Sequence, residues 1–367
     1  MKFGFTELVR RPARFAVATV TLTLIAVLLM FLGGLVDGLV RLATGPYLAQ
    51  PAQLLVIGDD AKGSLSASAI SDTQRAEVVR SAPGAEVGAF SSVSLGARVG
   101  DGEGRDLTSL QLRGYELAPN GLPEPPAFGE VWGDFDLESS FEVGQSLFLG
   151  AGRYEVKLVG FVDRGANPAL NGLWGSMDTW RAVAESARPG QRLPDDFTQG
   201  LVVATSDVDL TTLAASIDEA TGTTLTRTIE DAAASVPGVA EQESTFGLVM
   251  GITVVVGLLV VALFFALLTA ERKGLYGVLK ALGATNRAVF SGVIIQALCL
   301  AAIAAMIGVV ATIMGAVLIP AGTVPFSPSI ASTASCVGLI TGAAVIGSVF
   351  SLGTVLKIDP AAAIGGN

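Results

Sequence analysis

The 367-residue chain contains no histidine. Histidine-dependent zinc sites and histidine-based catalytic triads are therefore absent from it. It has only two cysteines, Cys299 and Cys336, and charged side chains make up just 15% of it. No G-x-x-x-x-G-K-[ST] motif occurs, so the chain cannot cradle ATP phosphates as a P-loop does. Internal repeats are also missing. Bases are outnumbered by acids, 23 to 33. The deficit is local: from Asp59 to Glu243 there are 29 acids against 13 bases. Such a surface argues against nucleic acid, which needs basic patches.

What the chain has in abundance is uncharged sequence. Residues 15–36, 244–270 and 288–356 carry no charge at all. A helix needs roughly 20 apolar residues to cross a bilayer. The first two runs each supply one span. The third is too long for one and is interrupted by Pro320, Pro325 and Pro328, so it reads as two. Burial inside a soluble protein is the competing reading, but uncharged runs of this length are a membrane signal. A cleaved signal peptide is the other rival for the first run. Its apolar core would be shorter and would end at a small-residue cleavage site, whereas here Asp37 and Arg41 follow.

Basic residues stay in the cytoplasm. Lys2, Arg10, Arg11 and Arg14 precede span one; Arg272, Lys273, Lys280 and Arg287 lie between spans two and three; Lys357 follows span four. Four spans put all three clusters on one side, with both termini cytoplasmic. The expected order is a cytoplasmic segment (1–14), helix one (15–44), an extracytoplasmic domain (45–243), helix two (244–270) and a cytoplasmic segment (271–287). Helix three (288–318), an external loop (319–330), helix four (331–356) and a cytoplasmic tail (357–367) complete it. The fold class is thus a membrane protein with four transmembrane α-helices and a large α+β extracytoplasmic domain between helices one and two. Cys299 and Cys336 then sit at depths further apart than a disulfide can bridge, and both read as small packing residues.

Within the external domain, "QLLVIG" reads as a first strand, and Ser71 as an N-cap for a short helix in "SDTQRAEVVRSA". "EVGAFSSVSLGARVG" and "LTSLQLRGYE" alternate as strands do. "FEVGQSLFLGAGRYEVKLVGFVD" reads as a small hairpin-rich barrel, with Gly150 and Gly152 at a turn. Helices near 176–187 and 209–220 alternate with the strands "GLVVAT" and "TLTRTI", an α+β order. No catalytic constellation stands out. The acid pairs Asp59–Asp60 and Asp195–Asp196 read as solvated turns.

Between spans two and three, Leu275, Val278, Leu279 and Leu282 recur at helical spacing. Lys273 and Lys280 fall off that stripe, and Gly283 is a plausible stop. This is a short amphipathic cytoplasmic helix, at the least a basic interfacial anchor. The stretch "GVLKALGATNRAVFSGVIIQ" resembles the cytoplasmic loop of the FtsX/MacB-type (type VII) ABC transporter permeases. The four-span plan is similar to theirs as well. "FLGGLVDGL", "TVPF" and "KIDPAAAIGG" most resemble the HrtB-like haem-exporter permeases and the related DevC-like permeases. The likeness covers 1–44 and about 240–367, and is only a matter of pattern between.

The resemblance implies a homodimer in the bacterial plasma membrane, in contact with its lipids and with two copies of a soluble ABC ATPase that binds ATP and Mg. Leu275, Val278, Leu279, Lys280, Leu282 and Arg287 would form the ATPase contact. It implies no catalytic residue and no intrinsic cofactor in this chain. The substrate it suggests is haem. Glu241 stands in an "AEQ" similar to the haem-exporter permeases and would coordinate the iron. Met30 and Met250 are further candidate ligands, since methionine sulfur serves haem elsewhere. Phe31 and Phe246 would face the ring, and Arg41 would pair with a propionate. Plain packing is the alternative for each Met and Phe, and solvation for Glu241 and Glu243. Gly34 and Gly38 form a GxxxG step that would serve either the dimer contact or packing of span one on span two. Two other functions stay open: export of a different amphiphile (lipid, peptide or drug), or an FtsX-like transmitter that moves nothing and controls a cell-wall hydrolase.

Overall fold

A computed structural model describes residues 12–99, 108–162, 172–187, 193–194, 197–206, 208–271, 285–319 and 324–356. The chain divides into two compact units, 1–39 with 242–367, and 40–241.

Among the described residues, the first unit holds four helices long and apolar enough to cross a membrane. They are α1 (Pro12–Leu48), α6 (Val239–Glu271), α7 (Asn286–Leu318) and α8 (Ile330–Leu356). The first two extend past the unit at one end. On α1, Phe15, Ala18, Leu22, Ala26, Leu29 and Met30 are buried, a stripe at helical spacing. The opposite face is equally apolar but exposed, with Val17, Val20, Leu24 and Leu28. A helix hydrophobic all round fits a lipid surrounding. Small residues set the close crossings. A Cβ on Gly308 of α7 would lie 2.9 Å from the Met30 Sδ, and one on Gly347 of α8 would lie 2.9 Å from the Leu258 carbonyl oxygen of α6. Without a hydrophobic force between helices in lipid, such close backbone packing supplies the attraction.

The second unit is α+β. Its strands are β1 (Leu54–Gly58), β2 (Glu86–Val99), β3 (Thr108–Tyr115), β4 (Glu130–Gly133), β5 (Ser146–Leu149), β6 (Tyr154–Phe161), β7 (Leu173–Ser176), β8 (Gly200–Ala204) and β9 (Thr224–Thr228). Its helices are α2 (Asp72–Ser81), α3 (Met177–Ala187), α4 (Leu210–Thr221) and α5 (Ile229–Ala234). The strand order is β3-β7-β4-β6-β5-β2-β8-β1-β9, and β3 also pairs with β2. That extra pairing closes a six-stranded barrel, so the hairpin-rich barrel expected from the sequence is real and larger than the segment that suggested it. Strand β2 carries the join: residues 86–90 pair with β8 and 97–99 with β5, while 90–97 pair with β3 on its other edge.

Outside the barrel, β1-α2-β2 and β8-α4-β9 are two interleaved β-α-β units whose strands lie side by side as β2-β8-β1-β9. This is the split β-α-β, ferredoxin-like arrangement, with the rest of the barrel inserted between β2 and β8. Helices α2 and α4 pack against each other. Helix α2 starts where Ser71 and Gln74 form a reciprocal capping box. Helix α4 ends at Gly222, whose φ of 69° suits the left-handed cap. Two apolar clusters fill the unit. One is centred on Leu112, Leu147, Trp180 and Val203, the other on Phe90, Tyr115 and Trp174.

Strand β9 is the end of the sheet, and its free edge is covered from α4. Asp218 accepts from the Thr226 N–H at 3.1 Å, the Thr226 hydroxyl at 2.6 Å and the Thr224 hydroxyl at 3.2 Å. The carboxylate takes the place of a neighbouring strand, which blunts an edge open to pairing.

Candidate functional site

In the first unit, residues 324–329, just before α8, lie along α1. The Ser327 N–H donates to the Gly34 carbonyl at 3.0 Å. The Phe326 ring stacks on Phe31 with centroids 4.9 Å apart. A Cβ on Gly34 would meet the Phe326 ring at 2.5 Å, and one on Gly38 would overlap the Pro325 carbonyl oxygen at 1.8 Å. The GxxxG step therefore accommodates the segment before α8. Neither role read from the sequence, a dimer contact or packing on the second span, describes it. The close approach needed glycine, as expected, but the partners were the Phe326 ring and the Pro325 backbone, about 290 residues away.

Between the two glycines on α1, Asp37 accepts from the Ser329 N–H at 2.8 Å and from the Ser332 hydroxyl at 2.5 Å. Sequence reasoning missed this residue. Its only sign was a lone acid inside the glycine pair, opposite a serine-rich start to the fourth span.

The residues expected to hold substrate fall as follows. Met30 is buried in the four-helix core with its sulfur against Gly308. Met250 is half-buried against the same core. Phe31 is 38% exposed and already stacked on Phe326; Phe246 is half-buried. In the second unit, Arg41 and Glu241 are exposed. Glu241 sits in the first turn of α6 and accepts from the Gly238 N–H at 3.1 Å, a favourable place for a carboxylate at a helix start. Among the described residues, no three His, Cys, Asp or Glu side chains gather to hold a metal ion. Cys299 and Cys336 are both free thiols, the latter buried. Leu275, Val278, Leu279, Lys280 and Leu282 lie outside the described residues, and Arg287 falls in the first turn of α7.

The α+β unit holds two buried or half-buried charge arrangements. Arg75 of α2 makes a two-pronged bond to Glu116, at 2.7 and 3.0 Å, and Glu116 also accepts from the Ala89 N–H at 2.9 Å. Burial alone would raise the Glu116 carboxyl, but the Arg75 bond and the Ala89 N–H together hold it below the usual range. Asp134 instead is pushed up to about 6, chiefly by burial, although the Gly172 and Leu137 N–H groups oppose the rise. Arg113 is buried with its guanidinium 5.2 Å from the Trp174 ring.

Solved structures that align with about half of the chain include two transporter domains. The periplasmic region of MacB from Actinobacillus actinomycetemcomitans aligns at 14% identity, covering 49% of this chain and 90% of that one, with a TM-score of 0.34. The extracellular domain of the noncanonic ABC-type transporter YknZ from Gram-positive bacteria aligns at 13% identity, covering 48% and 98%, with a TM-score of 0.32. Residues 247–360, which contain most of α6 and all of α7 and α8, match the family model for the FtsX-like permease C-terminal domain, so this part of the membrane protein is similar to that family.

Proposed function

We propose that this chain is the permease subunit of an ATP-driven ABC efflux pump and that its substrate is haem. The match of 247–360 to the FtsX-like permease C-terminal family carries the permease reading. The four-span plan with an α+β domain after the first span supports it. With no P-loop in the sequence, the energy comes from a separate ATPase, two copies serving two copies of this chain. The segment 271–287 takes the ATPase contact, through Leu275, Val278, Leu279, Lys280, Leu282 and Arg287. Both termini and that segment then face the cytoplasm of a bacterial cell.

The haem reading rests on "FLGGLVDGL" and "TVPF", motifs similar to haem-exporter permeases. Their residues Gly34, Gly38, Pro325 and Phe326 touch one another. Haem enters from the outer leaflet between two copies of α1 and α6 and leaves when the spans close. Glu241 coordinates iron, Arg41 meets a propionate, and Met250, Phe31 and Phe246 line the route; Met30, buried in the helix core of a single copy, is packing rather than a ligand.

The test is to purify the chain with its ATPase and measure haem absorbance and haem-stimulated ATP hydrolysis together. The expected result is a Soret band and a rise in hydrolysis with haem. ATPase association without either response would keep the permease reading and remove haem, leaving another amphiphile as substrate. Division defects on deletion without haem sensitivity would point instead to an FtsX-like transmitter.

A further inference from the structure

We infer that Asp37 is the latch that holds α1 against the start of α8. The two helices meet along a seam that steps by about one helical turn on each side. The Cys336 thiol donates to the Leu29 carbonyl at 3.6 Å. One turn along α1, Gly33 faces Cys336 and Ser332, which a Cβ there would meet at 3.6 and 3.8 Å. One turn further, Asp37 takes the Ser329 N–H and the Ser332 hydroxyl. The contacts run in opposite directions along the two chains, so Asp37 stands at the end of an antiparallel seam.

The start of α8 explains why a carboxylate is placed there. The first turn of a helix leaves N–H groups without intrahelical partners and carries partial positive charge. The Ser329 hydroxyl takes the Ser332 N–H at 3.0 Å. The Ser329 N–H goes to Asp37 instead. A carboxylate so near an apolar span is costly unless it is partnered. Here one oxygen accepts two hydrogen bonds, and the negative charge meets the positive helix end. The neighbouring contacts act in the same sense. Gly34 and Gly38 admit Phe326 and Pro325 against the helix, and the Ser327 N–H adds a bond to the Gly34 carbonyl. Asp37 is thus a positioning residue, and the latch stands whichever substrate the protein moves.

Cys336 is the native reporter, since it is fully buried on the same seam. In a Cys299→Ala chain in native membranes, the rate of Cys336 modification by N-ethylmaleimide measures how often α1 and α8 separate. Asp37→Ala should raise that rate about tenfold or more, the factor expected when hydrogen bonds to a charged group are lost, and Gly38→Leu should raise it too, because its side chain overlaps the Pro325 carbonyl. Asp37→Asn, which keeps one acceptor oxygen, and Ser332→Ala, which keeps the Ser329 contact, should give smaller increases. These two milder variants decide the question if the others fail to insert. Equal labelling of Asp37→Asn, Ser332→Ala and the parent would overturn the latch. Neither haem nor ATP enters the measurement, so its failure is separate from failure of the transport reading.

Discussion

At the scale of single residues, the α+β unit holds two carboxylates whose acidities are shifted in opposite directions, so their contributions to stability vary oppositely with pH. The Glu116 carboxyl sits below its usual range, so its contribution is complete above the ordinary glutamate range and is lost as pH falls through the lowered value. Asp134 is raised to about 6. The folded chain binds that proton more tightly than the unfolded chain does, so stability declines as pH rises from about 4 to about 6. All three tryptophans, Trp132, Trp174 and Trp180, lie in this unit, so their fluorescence reports its unfolding within the intact protein. Arg75→Ala should weaken the unit and flatten the loss of stability at low pH. Asp134→Asn should abolish the decline between about pH 4 and 6. Below about pH 4 it should cost about 1–3 kcal/mol, because one of the two N–H donors loses its acceptor, and at neutral pH removal of the buried charge offsets that cost. Glu241 belongs to the proposed site: Glu241→Ala should shift or abolish the Soret band of bound haem, and an unchanged spectrum would remove it from that site.

Elements differ in how much of them local sequence reveals. Helix α2 was legible because its signal is local: Ser71 and Gln74 are three residues apart and cap each other. The four spans were legible because absence of charge over 20 residues needs no knowledge of partners. Strand β2 was legible as a strand but not as the join of two sheets, since its partners β3, β5 and β8 are scattered between Thr108 and Ala204. Asp37 was illegible for the same reason, its acceptor role being defined by Ser329, 292 residues away. The β9 edge shows the principle in reverse. Asp218, near the end of α4, satisfies a strand's free N–H, a role that nothing in its local sequence shows. Asp218→Ala should therefore cost about 1–3 kcal/mol and increase aggregation, checked by tryptophan fluorescence and by size-exclusion chromatography. Among the membrane segments, the prediction concerns the one joining α6 to α7. Reversing charge at Lys280 and Arg287, or placing proline at Leu279, should uncouple ATP hydrolysis from export while leaving membrane insertion normal. Export assays in cells that accumulate the variant to parental levels check this.

For the whole molecule, the account depends on which face of the membrane the segment between α6 and α7 occupies. A membrane protein without a P-loop of its own can draw on ATP only where a soluble ATPase can reach it. The proposed reading keeps that basic segment in the cytoplasm, as the charge rule for membrane proteins expects. The most direct measurement replaces Cys299 and Cys336, puts a single cysteine at Gly277 beside the amphipathic stripe, and exposes intact cells to a membrane-impermeant maleimide. The account predicts no labelling until the membrane is permeabilised. Labelling of that cysteine in intact cells would contradict it.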